Sequence, residues 1–217
     1  MVGRLKERGE MRFDVLQMEY PNVSRETYEA LSQLVILLNK WNRAINLVAA
    51  NSVADAWQRH VLDSLQLWQY ISPNAHRLTD IGSGAGFPGL VLAIAAQTTE
   101  HQLRVTLIES DHRKCEFLNT VTRILGLDVA VIADQIIQVP AQFADVLTAR
   151  ALAPLDVLLG YADLHLAPHG IALFLKGENA MAEVKVARER WEFQLESYGS
   201  LTNPTGNVFK IGDIRRV

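Results

Sequence analysis

Asp80-Ile81-Gly82-Ser83-Gly84-Ala85-Gly86-Phe87-Pro88-Gly89 decides how this chain is read. It follows the short apolar-polar stretch Arg77–Ile81 and precedes the apolar run Leu90–Ala96. A strand, a glycine-rich turn and a helix in that order let the backbone bend tightly and approach a ligand. The free amides at the start of the helix then face that ligand. Gly84 to Gly89 also spells G-x-G-x-x-G, a dinucleotide fingerprint that is weak by itself.

Outward from this loop, strand and helix patterns alternate. Strands are expected at Arg77–Ile81, Arg104–Glu109, Asp128–Ala133, Asp145–Ala149 and Ile171–Lys176. Helices are expected at Pro88–Gln97, His112–Leu125 and Pro154–Leu166. Such alternation builds a parallel sheet with helices on both faces. Glu192–Ser200 and Asn207–Ile211, joined through Gly206, read as a closing hairpin. On the amino-terminal side, Ser24 caps a helix with apolar positions Tyr28, Leu31, Leu34, Val35, Leu38, Trp41 and Ile45. A second helix is expected from Ser52, with Asp55 completing a capping box. Its apolar face holds Trp57, Val61, Leu65, Trp68 and Ile71, and Pro73 and Asn74 end it. No linker separates the two parts. The expectation is one α/β domain over residues 1–217, with 1–74 as a helical cap and 75–217 as a Rossmann-like core.

The 217 residues suffice for one such domain with a full core. Met1 to Glu10 carries scattered charges and no apolar segment of a secretory signal. No apolar run reaches membrane-spanning length. The single cysteine, Cys115, excludes an internal disulfide and reads as a small core residue of a cytoplasmic protein. A formal net charge of -3 argues against gripping naked nucleic acid by bulk charge, while leaving room for a local basic patch. The histidines and the cysteine form no metal-ligand spacing, so no metal is expected.

Asp80 selects the ligand. A carboxylate two residues before the first of the alternating glycines Gly82, Gly84 and Gly86 can meet the ammonium of a methionine moiety. It sits badly beside the pyrophosphate of a dinucleotide, so the order favours S-adenosylmethionine over NAD. Glu109, at the end of the second strand, can accept both ribose hydroxyls of either ligand. After the third strand, Asp134, Gln135, Ile136 and Ile137 can bracket an adenine. Phe87, just past the last loop glycine, reads either as a cofactor contact or as a core residue. At the other ends of the cleft stand Arg150 and Lys176, as cofactor or phosphate ligands; alternatively Arg150 pairs with Asp145 or Asp156, and Lys176 with Glu178. No Asn/Asp-Pro-Pro-aromatic motif follows the fourth strand, and no cysteine nucleophile or evident base faces the cleft. That suits an acceptor with its own lone pair, such as a purine ring nitrogen, which needs only alignment. In the cap, Arg59, His60 and Asp63 share one helix face, either as an ion-pair cluster or as a functional group.

The chain resembles the glucose-inhibited division protein B (RsmG) family from about Leu34 to Gly177. The matching blocks are Asn46-Leu47, Arg59-His60-Val61-Leu62-Asp63-Ser64, the glycine loop through Gly89, Glu109-Ser110, Arg113-Lys114, Phe117-Leu118, Ala149-Arg150-Ala151 and Leu175-Lys176-Gly177. That family makes 7-methylguanosine in 16S ribosomal RNA. The resemblance implies a class I S-adenosylmethionine methyltransferase sheet with a late antiparallel strand. It implies substrate positioning by Asn46, Arg59, His60, Asp63 and Lys176. It also implies cofactor contacts from Gly82, Phe87, Ile136, Ile137 and Arg150, and 16S rRNA within the small ribosomal subunit as partner. One segment departs from the family: its usual Arg-x-Glu after the third strand is Gln135-Ile136-Ile137 here. Only main-chain roles carry over at those positions. Other classes compatible with the residues alone are a small-molecule methyltransferase, an NAD-dependent oxidoreductase and a cofactor-binding ribosome-assembly factor.

Overall fold

The computed structural model describes residues 11–99 and 101–217, so the reading of Met1–Glu10 lies outside the described residues. Helices α1 (Phe13–Glu19) and α2 (Arg25–Trp41) open the cap. Ser24 caps α2 as expected, its Oγ accepting from Thr27 N at 3.1 Å. Leu31, Leu34 and Leu38 are fully buried along one face, while Ile45 lies beyond the helix end. The connection to the next element is pinned by Asn42, whose Oδ1 accepts from Val48 N at 2.9 Å.

The second cap helix is not the regular helix expected. It divides into a turn, α3 (Ala50–Val53), a π-helical segment at Trp57–Leu62, the short α4 (Asp63–Leu65) and a 3₁₀ turn at Trp68–Tyr70. The capping box does not form, because Ser52 lies inside α3, whose N-cap is Ala49. Of the expected apolar residues, Trp57, Val61, Leu65 and Ile71 are buried all the same, and Trp68 is half-buried. Periodicity reports which side faces inward; it does not report the local winding, and π turns gather at functional sites.

The core is a seven-stranded sheet in the order β3-β2-β1-β4-β5-β7-β6. Its strands are β1 (Arg77–Ile81), β2 (Arg104–Glu109), β3 (Val129–Ala133), β4 (Ala144–Arg150), β5 (Leu166–Lys176), β6 (Trp191–Gly199) and β7 (Asn207–Arg216). β1 to β5 are parallel neighbours, and β7 runs antiparallel between β5 and β6. The helices between them are α5 (Gly89–Thr98), α6 (His112–Leu125), α7 (Leu155–His165) and α8 (Ala180–Ala187). The cap, α5 and α6 share one apolar layer with the sheet, and α7 and α8 build the other. Gly89 to Ala96 of α5 is buried all round, between sheet and cap, which explains its uniformly apolar sequence. Cys115 is buried on α6, its thiol against the Glu109 carbonyl. Among the described residues no helix is long and apolar enough to cross a membrane, and no cluster of three or more metal-ligating side chains occurs.

From β1 the chain winds toward β3, then crosses back to β4 on the opposite side of β1. The crevice at that reversal, at the carboxyl ends of β1 and β4, is where open α/β sheets bind ligands. The glycine loop leaves β1 there and Arg150 ends β4 there.

Candidate active site

The loop after β1 holds its glycines at φ of +62° (Gly82), +58° (Gly84) and +84° (Gly86). At Gly86 a side chain would also collide with Leu90, whose Cδ1 lies 2.2 Å from where a Cβ would sit, so the loop rests directly on α5. At Gly84 the nearest atom is a backbone oxygen 3.8 Å away. The open side of Gly84 faces the cleft, and its amide donates to Glu109 Oε2 at 2.7 Å.

Glu109 is buried at the end of β2 but lines the cleft. Its other oxygen, Oε1, accepts from Asp111 N at 2.9 Å. Two backbone amides therefore fix the carboxylate, and each oxygen retains acceptor capacity for a vicinal diol. Together with the bare face of Gly84, this fits a nucleoside ligand such as S-adenosylmethionine.

Asp80 stands elsewhere than expected. It is fully buried behind the loop and does not line the cleft. Oδ1 accepts from Thr148 Oγ1 at 2.7 Å and Oδ2 from Gly89 N at 3.3 Å, bracing the loop and the start of α5. Burial raises its pKa from 3.8 to about 6, against the opposing hydrogen bonds of Thr148 and Gly89 and the charge of Arg150. Sequence position puts an acid beside the loop, but the register Asp80↔Thr148 between β1 and β4 turns it toward the strand interior. Sequence reasoning misses Thr148; a fully buried hydroxyl within Val146–Ala149 is the signal that could have found it.

Arg150 ties the core to the cap. Its Nη1 donates to the Arg59 carbonyl at 2.8 Å and to His60 Nδ1 at 2.9 Å, and lies 3.5 Å from Asp63 Oδ2. Neither Asp145 nor Asp156 is its partner: Asp145 caps the amides of His76 and Arg77, and Asp156 pairs with Arg190. The Arg59 side chain lines the cleft, and it is the Arg59 backbone that serves the cluster. Phe87 packs against both partners, its ring centroid 5.1 Å from the His60 ring and 5.3 Å from the Arg150 guanidinium carbon. Because a guanidinium only donates, His60 Nδ1 must accept, which leaves the proton on Nε2. Nε2 then donates to Ser52 Oγ at 3.0 Å, and Ser52 donates onward to the Ala49 carbonyl at 2.7 Å. Burial, reinforced by Arg150 and Arg59, lowers the His60 pKa to about 4. His60 is therefore a neutral, single-tautomer bracket.

These groups line one cavity of about 1100 Å³, more than a single small ligand fills. Its far wall carries Lys176, Ser200, Thr202 and Asn203. Lys176 Nζ pairs with Glu183, not Glu178, at 2.6 Å and donates to the Ala153 carbonyl at 3.0 Å. Two sets of expected residues stand apart. Asn46 is exposed beside the wall formed by Leu47, Val48 and Ala49. Asp134, Ile136 and Ile137 lie past the end of β3, one strand from Glu109, and do not line the cavity. Asp134 accepts from Gln135 N, Ile137 is exposed, and the Ile136 carbonyl meets His165 Nε2 at 3.0 Å. A second cavity of about 640 Å³ lies around His76 and Arg104, at the amino ends of β1 and β2, the opposite end of the strands from the glycine loop.

Strand order, glycine loop and ribose-type carboxylate define a class I S-adenosylmethionine-dependent methyltransferase. Solved structures agree at the level of fold. A methyltransferase from Geobacter sulfurreducens superposes with TM-score 0.54 over 94% of this chain and 98% of its own, at 14% identity. An S-adenosylmethionine-dependent methyltransferase from Aquifex aeolicus gives TM-score 0.56 over 72% and 91%, at 13% identity. The family profile described as rRNA small subunit methyltransferase G (GidB) matches residues 27–206, and the chain belongs to that family. Proteins named ribosomal RNA small subunit methyltransferase G from Paramagnetospirillum magneticum and Cereibacter sphaeroides are 49% and 45% identical to it. They align over 89% and 90% of this chain and 92% and 95% of their own.

Proposed function

We propose that this protein transfers the methyl group of S-adenosylmethionine to ring nitrogen 7 of a guanosine in 16S ribosomal RNA, presented within the small ribosomal subunit. The reading takes the chain as one cytoplasmic catalytic domain, residues 1–74 capping 75–217. One observation carries the choice of acceptor: among the described residues, the cavity holds no disengaged base. His60 has both ring nitrogens bonded. Asp63 is held by Arg150, Gln66 and Thr202. Glu109 is held by two amides, and Glu183 by Lys176 and Leu155 N. An acceptor that needed deprotonation would have to displace one of these partners or use the lone pairs that Glu109 offers a ribose. Guanine nitrogen 7 carries an in-plane lone pair and needs none.

S-adenosylmethionine supplies a methyl group on a positively charged sulfur, already activated for attack. The chain's part is to bind and align. Gly84 and Glu109 hold the nucleoside end. Asp80, Thr148 and Gly89 N keep the loop at fixed height behind it. Arg150 and Phe87 form the wall between cofactor and cap, with His60 and Asp63 fixing the guanidinium. Arg59 and Lys176 face the nucleic acid. Arg150 has its Nη1 committed to the protein, so it cannot turn both terminal nitrogens onto the major-groove edge of guanine.

The test is tritium transfer from labelled S-adenosylmethionine to small subunits that lack the modification, followed by digestion. Label in one 7-methylguanosine is the expected result. Label in small molecules only, or none with the cofactor bound, overturns the reading. Lys176→Ala should lose methylation while cofactor affinity is kept; equal loss of both removes Lys176 from the RNA side.

A further inference from the structure

The β6–β7 turn is built with more care than a surface hairpin needs. Ser200 N donates to the Gly206 carbonyl at 3.0 Å, and Gly206 N to the Asn203 carbonyl at 2.9 Å, so the loop closes on itself. Ser200 Oγ accepts from the amides of Thr202 and Asn203, each at 3.2 Å. The closed loop is then latched to the cap by Gln66, which is 1% exposed. Gln66 Oε1 accepts from Leu201 N at 2.9 Å, and Nε2 donates to Ser200 Oγ at 3.2 Å and Asp63 Oδ1 at 3.0 Å. Thr202 adds a hydroxyl bond to the same Asp63 oxygen. The carboxylate that holds Arg150 thus also holds this loop.

What the latch presents is Leu201, 67% exposed, between the cavity-lining residues Ser200 and Thr202. Among the described residues the other large apolar side chains more than half exposed have no chain neighbour in the cavity lining. Here the backbone amide is pinned by a buried side chain, and the leucine stands in solvent on a loop whose neighbouring residues line the cavity.

We infer that Leu201 is an apolar wedge for RNA: it occupies the stack beside the target nucleotide while that nucleotide enters the cavity, and Gln66 is the residue that positions it. The inference rests on the RNA reading above. A nucleotide leaving its stack exposes the faces of its neighbours, and an apolar side chain held at the mouth covers them; apolar wedges at opened base steps work in this way. The neighbouring bases are met by shape and stacking, so the contact is compatible with a net charge of -3.

Leu201→Ala, Leu201→Met and Gln66→Met are compared with the natural chain on small subunits lacking 7-methylguanosine, with cofactor affinity measured by calorimetry. Leu201→Ala is expected to lower kcat/KM for subunits about tenfold, the order given by losing one buried leucine's apolar surface, with cofactor Kd unchanged. Leu201→Met restores most of the loss. Gln66→Met gives the same pattern as Leu201→Ala, again with cofactor binding intact. Leu201→Ala with natural kcat/KM overturns the wedge. Gln66→Met with natural kcat/KM overturns the latch. If Gln66→Met also fails to bind cofactor, the fold has suffered and the exposed position 201 decides alone. If the natural chain methylates no ribosomal RNA, the substrate reading fails first and the wedge falls with it.

Discussion

Thr148→Val tests the role assigned to Asp80. Valine keeps the shape of threonine and removes the hydroxyl that donates to Asp80 Oδ1 at 2.7 Å in a fully buried site. A hydrogen bond to a charged buried carboxylate contributes about 1.5–3 kcal/mol, and one to its neutral form about 0.5–1.5 kcal/mol. The cost of the substitution should therefore depend on pH. Asp80 titrates at about 6 in the folded chain against 3.8 as reference, so between those values the folded chain holds a proton that the unfolded chain has released. Stability from this group is fully present below 3.8 and lost as pH rises through about 6. The full loss is about 3 kcal/mol, at about 1.36 kcal/mol for each pH unit. Removing Thr148 moves the carboxyl further upward, because its hydrogen bond favours the carboxylate.

His60 works in the opposite sense. Its folded pKa lies at about 4 against 6.5, so its stability is fully present above 6.5 and lost as pH falls through about 4. The two groups oppose each other over much of one window, and the pH curve of the natural chain alone is uninformative. The difference between variant and natural chain isolates Asp80. Urea unfolding of both proteins should give a cost of about 1 kcal/mol near pH 5 and about 2–3 kcal/mol near pH 8. A cost that is the same at both pH values would show that Asp80 is not ionised behind the loop, and the bracing role would fall.

Gly84→Ala and Gly86→Ala should separate ligand from fold. The first meets open space, so stability drops by only about 1 kcal/mol from its φ while cofactor binding falls steeply; the second strikes Leu90 and should cost about 2–4 kcal/mol in a thermal melt. Glu109→Gln turns an amide donor toward Gly84 N or Asp111 N, and calorimetry should show cofactor affinity lowered about 30-fold, with the fold retained. Arg150→Lys keeps the charge but loses the planar face over Phe87 and the shared Nη1 position; cofactor Kd should rise about tenfold.

Much of this is legible in the sequence, for identifiable reasons. β1, β2 and α6 fall on the expected residues, because their ends carry local punctuation. Asp111 caps α6 through the Arg113 amide at 2.8 Å, and Gly126 ends it at φ +63°. The late antiparallel hairpin is readable from Gly206. The π winding at Trp57–Leu62 is not, since its apolar residues keep a helical spacing whichever way the turn is wound. The orientation of Asp80 is not readable either: the motif gives its place along the strand, and the strand register gives the direction. The partners of Arg150 and Lys176 come from other elements, Asp63 in the cap and Glu183 on α8. Pairings sought among nearby acids cannot reach them.

Thr148 and Arg150 are two apart on β4 and so share a side of the strand. Thr148 sets Asp80 and hence the height of the glycine loop. Arg150 sets His60 and Asp63, and flanks Phe87. Asp63 continues the chain of contacts to Thr202 and Gln66, and so to the loop that carries Leu201. One strand therefore aligns the cofactor side with the nucleic-acid side through side chains already fixed in single arrangements. In a reaction that needs alignment and no proton transfer, such fixing is the protein's principal means of lowering the barrier. Burial of that polar chain in an apolar core also accounts for why Asp80 and His60 are displaced in opposite directions: it disfavours the charged form of each, the carboxylate of one and the imidazolium of the other.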